Sequence, residues 1–110
     1  MNRPLTIVGG GLAGLSLGIA LRNRGIPVVI LEAGTYPRHR VCGEFICGVS
    51  PLTLEKLGIA GAFEAQVTND QSEWFYRDRS ILKRRLPAPA IGISRHHLDR
   101  WLADEFVRLG

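Results

Sequence analysis

The stretch Pro4-Leu5-Thr6-Ile7-Val8-Gly9-Gly10-Gly11-Leu12-Ala13-Gly14 decides the fold. Residues 4–8 form a short apolar run of the kind that makes a buried parallel strand, and three glycines then turn the chain tightly. Residues 12–24 are rich in Leu and Ala and read as a helix closed by Gly25. Gly14 and Gly18 lie one turn apart on it, and two small residues so placed let a helix lie close on a sheet. Residues 27–32, Pro-Val-Val-Ile-Leu-Glu, are a second buried strand. Strand, helix and strand within about 30 residues make a right-handed βαβ crossover.

The glycines satisfy G-x-G-x-x-G, and each has a physical task. Gly9 allows the turn after the strand. Gly11 has no Cβ, so a pyrophosphate can approach the backbone. Gly14 lets helix and strand pack closely. The phosphates would meet free N–H groups at the positive end of the helix dipole. Glu32 ends the second strand 18 residues after Gly14, where an acid accepts hydrogen bonds from a ribose diol. The motif alone is a weak signal. The strand before it, the helix after it and the placed acid make it a dinucleotide site. Its expected contacts are Gly9, Gly10, Gly11, Leu12, Ala13 and Gly14 at the turn, and Glu32 with Ala33 at the end of the second strand. Glu32 argues against a cofactor bearing a 2′-phosphate. The βαβ unit by itself does not choose between FAD and NAD.

Beyond it, residues 33–50 form a long irregular stretch of a length that is usually functional in a compact domain. Ser50-Pro51 starts a short helix that ends at Gly58, with Leu54, Leu57 and Ile59 inward. Residues 65–86 are expected to form a β-hairpin turning at Arg77-Asp78-Arg79-Ser80, and Pro87 and Pro89 to break it. Residues 90–93 resume as a short strand. Ser94 caps a last helix with Leu98, Trp101, Leu102, Phe106 and Leu109 on its apolar face.

The chain has 110 residues, 45% hydrophobic and 22% charged, which suits one soluble globular domain. No apolar run reaches the roughly 18–20 residues that span a bilayer, and no cleavage-like site follows the apolar N-terminus. A cytoplasmic protein is the expectation. Net charge is +4, with Arg38, Arg40, Arg77, Arg79, Lys83, Arg84 and Arg85 carrying much of the excess. That pattern fits a solvated basic face, with attraction to phosphates or peripheral contact with an anionic membrane as alternatives. No nucleic-acid motif accompanies it, so nucleic acid is not an expected partner. Cys42 and Cys47 match no zinc spacing, and no metal site is expected.

The segment Arg38-His39-Arg40-Val41-Cys42-Gly43-Glu44-Phe45 resembles the geranylgeranyl reductase family of flavoproteins, within the para-hydroxybenzoate hydroxylase-like FAD superfamily. Two later stretches fit the same pattern: Ser50-Pro51 with Leu57-Gly58, and Ile93-Ser94-Arg95-His96-His97-Leu98-Asp99. The resemblance covers nearly the whole chain. It implies FAD rather than NAD, with NAD(P)H as a candidate reductant. It also implies that the loop with Arg40, Cys42 and Gly43 reaches the flavin end, and that Arg95 lies near the ribityl or pyrophosphate region. An arginine fork suits phosphate oxygens, and a glycine permits close approach to a ring. Each has a plainer reading as well. Arg40 is then a surface residue, Arg95 an ordinary first-turn residue and Cys42 a small buried hydrophobe. Cys42 is the one weak catalytic candidate.

Superfamily members run to several hundred residues, so the fold expected here is α/β: a Rossmann-like FAD-binding βαβ unit with a small hairpin insertion, incomplete relative to the full family fold. Residues 1–110 would be the N-terminal part of the FAD-binding domain, and the hairpin would be the start of a substrate domain. The expected function is a reductase-like FAD-dependent oxidoreductase acting on an apolar, isoprenoid-like small molecule. The alternatives are an FAD monooxygenase or halogenase of an aromatic or polyketide substrate, and a non-catalytic FAD-binding fragment.

Overall fold

The computed structural model describes residues 3–42 and 44–110. β1 (Leu5–Val8) and β2 (Val28–Leu31) pair in parallel, Leu5 opposite Val28 and Val8 opposite Leu31, with α1 (Leu12–Arg22) crossing between them. α1 stops at Arg22 with Asn23 as its cap, two residues short of the sequence expectation. The reason is the reversal that follows: Gly25 takes φ +73 and the Ile26 N–H returns to the Leu21 carbonyl. The two helix glycines sit where the helix touches its neighbours. A Cβ on Gly14 would collide with the Gly9 carbonyl, and one on Gly18 would lie 2.9 Å from both Ile30 Cδ1 and Phe106 Cε2.

The stretch 33–50 is not wholly irregular. It contains β3 (Phe45–Ile46), two residues antiparallel to Ile91–Gly92. Two residues are too few to show a period, so this strand exists through its partner alone. α2 (Pro51–Leu57) has the expected caps. The Ser50 hydroxyl accepts the Thr53 N–H at 3.2 Å, and Gly58 closes the helix at φ +77. A 3₁₀ turn, Ala60–Phe63, follows.

The hairpin is longer than expected: β4 (Val67–Tyr76) and β5 (Arg79–Gly92). Arg77 and Asp78 alone make the turn, since Tyr76 already pairs with Arg79. Pro87 and Pro89 do not end the strand. Register passes from Gln71 opposite Arg85 to Asn69 opposite Ala90, so both prolines fall in a bulge where β5 has no partner in β4. The run expected at 90–93 is therefore the end of β5, and the sheet order is β3-β5-β4.

α3 (Arg95–Arg108) begins at Ser94, whose hydroxyl accepts the His97 N–H. The core lies between the helices. Leu15 and Ile19 of α1 meet Leu54, Ile59, Ala62 and Phe63, then Ile93, Leu98, Leu102 and Ala103. Trp101, Phe106 and Leu109 pack on this cluster from its rim, as the apolar face of α3 predicts.

Candidate dinucleotide-binding site

The turn after β1 takes the shape its glycines allow. Gly9 has φ +101, a backbone that L side chains rarely adopt. Gly11, the N-cap of α1, is different: at φ −83 and ψ −163 any residue would serve, and an added Cβ would meet nothing within 4 Å. Its glycine therefore answers no need inside the protein. It keeps open the space over the helix N-terminus, where the N–H groups of Leu12, Ala13 and Gly14 have no carbonyl a turn earlier. Two open clefts flank the turn. One, about 490 Å³, is lined by Gly9, Gly11, Leu12, Ala13 and Gly14. The other, about 580 Å³, is lined by Val8, Gly9, Leu31, Glu32 and Ala33. A group crossing Gly9 would have donors on one side and a carboxylate on the other, which is the donor set an ADP moiety fits.

Glu32 reaches across from the end of β2. Its Oε2 accepts the Gly10 N–H at 3.2 Å, and its Oε1 accepts from Arg38 Nη1. Arg40 Nη2 stands 3.6 Å from Oε1. The Arg38 hydrogen bond, then the Gly10 N–H, hold the carboxyl below the ordinary carboxylate range. Arg40 thus stands beside Glu32. The resemblance implies a place at the flavin end; in the structure the loop brings both Arg38 and Arg40 to the Glu32 carboxylate.

Tyr36 and Arg38 are the residues that sequence reasoning missed. The Tyr36 hydroxyl donates to the Gly10 carbonyl, which also accepts from Arg38 Nη2 at 3.3 Å. The Arg38 guanidinium lies 4.8 Å over the Tyr36 ring, and its Nε is buried without a partner among the described residues. Burial, then the Glu32 charge, push the Tyr36 phenol above its usual range. The only sequence signal was their nearness to Glu32, because the path of an irregular loop is not written in any periodicity.

The second group of residues gathers where β3 meets α3. Arg95 forms a two-pronged pair with Asp99, Nε at 2.8 Å and Nη2 at 3.2 Å, and Asp99 is fully buried. The hydrogen bonds to the Asp99 carboxylate come first in strengthening the charged form of Arg95, against the opposing effect of burial. The Arg95 backbone N–H donates to Glu44 Oε1. Glu44, at φ +55, also donates its own N–H to Cys42 Sγ at 3.3 Å and accepts the Ile93 N–H. Cys42 and Cys47 are both exposed thiols, so Cys42 is not the buried hydrophobe of the plainer reading. Gly43 lies outside the described residues. Arg95 keeps Nη1 free of Asp99, directed from a helix start tied to the Cys42 loop.

Among the described residues no group of His, Cys, Asp and Glu could hold a metal, and no helix is long and apolar enough to cross a membrane. Over 94% of its length the chain is 34% identical to a 3-amino-4-hydroxybenzoate 2-monooxygenase of Streptomyces platensis, covering 29% of that protein. It is 38% identical over 63 residues to the squalene epoxidase of Schizosaccharomyces pombe, 57% of this chain and 14% of that one. Among solved structures, 2-methyl-3-hydroxypyridine-5-carboxylic acid oxygenase superposes at a TM-score of 0.81 and 27% identity, over 99% of this chain and 30% of that one. The chain thus spans less than a third of the length of these relatives. Their names are those of a monooxygenase, an epoxidase and an oxygenase, which supports the superfamily of FAD-dependent monooxygenases and does not show the geranylgeranyl reductase branch expected from Arg38 to Phe45. The FAD binding domain family matches residues 3–110, and the chain, with its glycine turn and its acid in place, belongs to that family.

Proposed function

We propose that this chain holds the ADP half of FAD in a flavin-dependent monooxygenase that hydroxylates a small aromatic acid, with NAD(P)H as electron donor. The observation that carries the reading is Gly11: a residue with no internal need to be glycine, at the mouth of a helix whose first N–H groups are open. The turn from Gly9 to Gly14 would receive the pyrophosphate, and Glu32 the adenosine ribose. When bound, FAD supplies the isoalloxazine ring at which the electrons are exchanged. The residues described here bind and orient it, and the reading asks no redox work of Cys42. The aromatic acid is favoured over an apolar isoprenoid because the relative aligned over nearly the whole chain is named for an amino-hydroxybenzoate.

The test is made on the full-length protein. Flavin absorbance should accompany it through purification. Given NAD(P)H and air, it should convert 3-amino-4-hydroxybenzoate, or a related hydroxylated aromatic acid, to a product one oxygen heavier. Saturation of an alkene without air would instead restore the reductase reading. Flavin binding with no turnover of any kind would leave an FAD-binding module. The placement of the cradle is checked by Gly11→Val, which should abolish FAD binding by filling the pyrophosphate space.

A further inference from the structure

We propose that Tyr36 and Arg38 form a latch that orients both the Gly10–Gly11 peptide and Glu32 for the ADP half of the dinucleotide, and so act as positioning residues for cofactor binding. The inference rests on the dinucleotide reading above. It begins at Gly10, which the G-x-G-x-x-G pattern leaves open to any residue. Here a Cβ at Gly10 would run into the Tyr36 hydroxyl and would lie 3.2 Å from Glu32 Cβ. Gly10 is glycine because the phenol occupies that space.

The hydrogen bonds say what the contact does. The Gly10 N–H is taken by Glu32. The Gly10 carbonyl is taken by the Tyr36 hydroxyl and by Arg38 Nη2. Both peptide planes at Gly10 are therefore fixed, one by Glu32 and the other by the 33–40 loop. In a trans peptide the carbonyl and the next N–H point in opposite directions. With the Gly10 carbonyl drawn toward Tyr36 and Arg38, the Gly11 N–H faces away from them, on the side of the open cleft lined by Gly9, Gly11, Leu12 and Ala13. The other arm of Arg38 holds Glu32 Oε1, which leaves the remaining lone pairs of the carboxylate for ribose hydroxyls. One guanidinium thus couples the pyrophosphate donor to the ribose acid. Stacked 4.8 Å over the Tyr36 ring and only 15% exposed, it is itself held in place. Such a cradle needs no rearrangement when the ligand arrives, and preorganisation of this kind appears as affinity.

The experiment measures ADP and FAD affinity by calorimetry for the full-length protein and for Tyr36→Phe, Arg38→Met, Arg38→Lys and Gly10→Ala. Loss of the phenol hydrogen bond should weaken both ligands about 3–10-fold, and loss of the charged fork about 10–100-fold. The fold-loss should be the same for ADP as for FAD, since the peptide and the carboxylate that the latch orients serve only the ADP half. Gly10→Ala should mimic Tyr36→Phe and add little to it in the double variant. A purely structural role would not move the pH profile. The wild type should hold its affinity as pH falls through the ordinary carboxylate range, Arg38→Met should lose it there, and Arg38→Lys should restore the flat profile. Unchanged ADP and FAD affinity in Tyr36→Phe and Arg38→Met, or weakened affinity with a wild-type pH profile, would overturn the latch. If Arg38→Met does not fold, Tyr36→Phe, which removes a single oxygen, and Arg38→Lys carry the test. Gly11→Val keeps the two readings apart: if it abolishes binding while the latch variants bind normally, the cradle stands and the latch falls.

Discussion

Glu32 has work in the free protein as well as in a complex. Its carboxyl is held below the ordinary range first by the Arg38 hydrogen bond and then by the Gly10 N–H. A group whose folded pKa is depressed contributes stability that is present above the unfolded value, near 4.3 for a glutamate, and lost as pH falls through the folded one. Unfolding midpoints should therefore fall on acidification below about pH 5, and Glu32→Gln should flatten that part of the profile. A midpoint that drops as steeply in Glu32→Gln as in the wild type would assign the acid sensitivity elsewhere. Gly14 gives a second residue-scale expectation. A methyl group there would meet backbone, the Gly9 carbonyl, which cannot swing aside as a side chain can. Gly14→Ala should cost about 1–3 kcal/mol of stability, read by urea denaturation, and should weaken ADP binding because the turn moves with the helix.

Among the elements, α3 contributes both to the core and to the buried electrostatics. It packs Leu98 and Leu102 into the core and carries the Arg95–Asp99 pair at its start. Asp99 is fully buried, so removing its partner strands a charge. Arg95→Ala should cost about 3–5 kcal/mol. The double variant Arg95→Met, Asp99→Leu should be much less destabilised, because breaking a buried pair is worse than replacing it. Equal losses in the two variants would show that the pair acts through packing alone. Leu102→Ala should cost about 2–5 kcal/mol through the cavity it leaves. The apolar face of α3 and the caps of α2 were legible in the sequence, since helix period and cap chemistry are local. The continuation of β5 past Pro87 and Pro89 was not, because it depends on a bulge that pairing with β4 creates.

On the scale of the whole molecule there are two unlike parts. α1, α2 and α3 enclose an apolar core, whereas the far end of the hairpin stands clear of it. Trp74, Phe75 and Tyr76 in β4 are each more than 60% exposed, and so is Ile81 in β5. Five cations accompany a single acid between residues 74 and 85. A two-stranded ribbon without a packed face is marginal in water. Hydrogen exchange on this chain should find its slowest amides at Ile19, Leu98 and Leu102 and rapid exchange from Trp74 to Leu82. Protection of the ribbon equal to that of α1 and α3 would show that it is covered in solution.

The amino-acid sequence by itself determined the βαβ unit, its glycine turn and its acid, because strand and helix period, left-handed glycine and the spacing from Gly14 to Glu32 are properties of a short stretch of chain. It also pointed to an FAD superfamily, which the relatives support, while the finer branch read from Arg38 to Phe45 is not shown by them. Only the tertiary structure decided that Tyr36 and Arg38 reach back to Gly10, that Arg40 stands beside Glu32, and that Arg95 is paired with a buried Asp99. Those placements depend on where an irregular loop lies against elements distant in the chain. No local propensity records such a path, which is set by the carbonyls and carboxylates that folding brings within its reach.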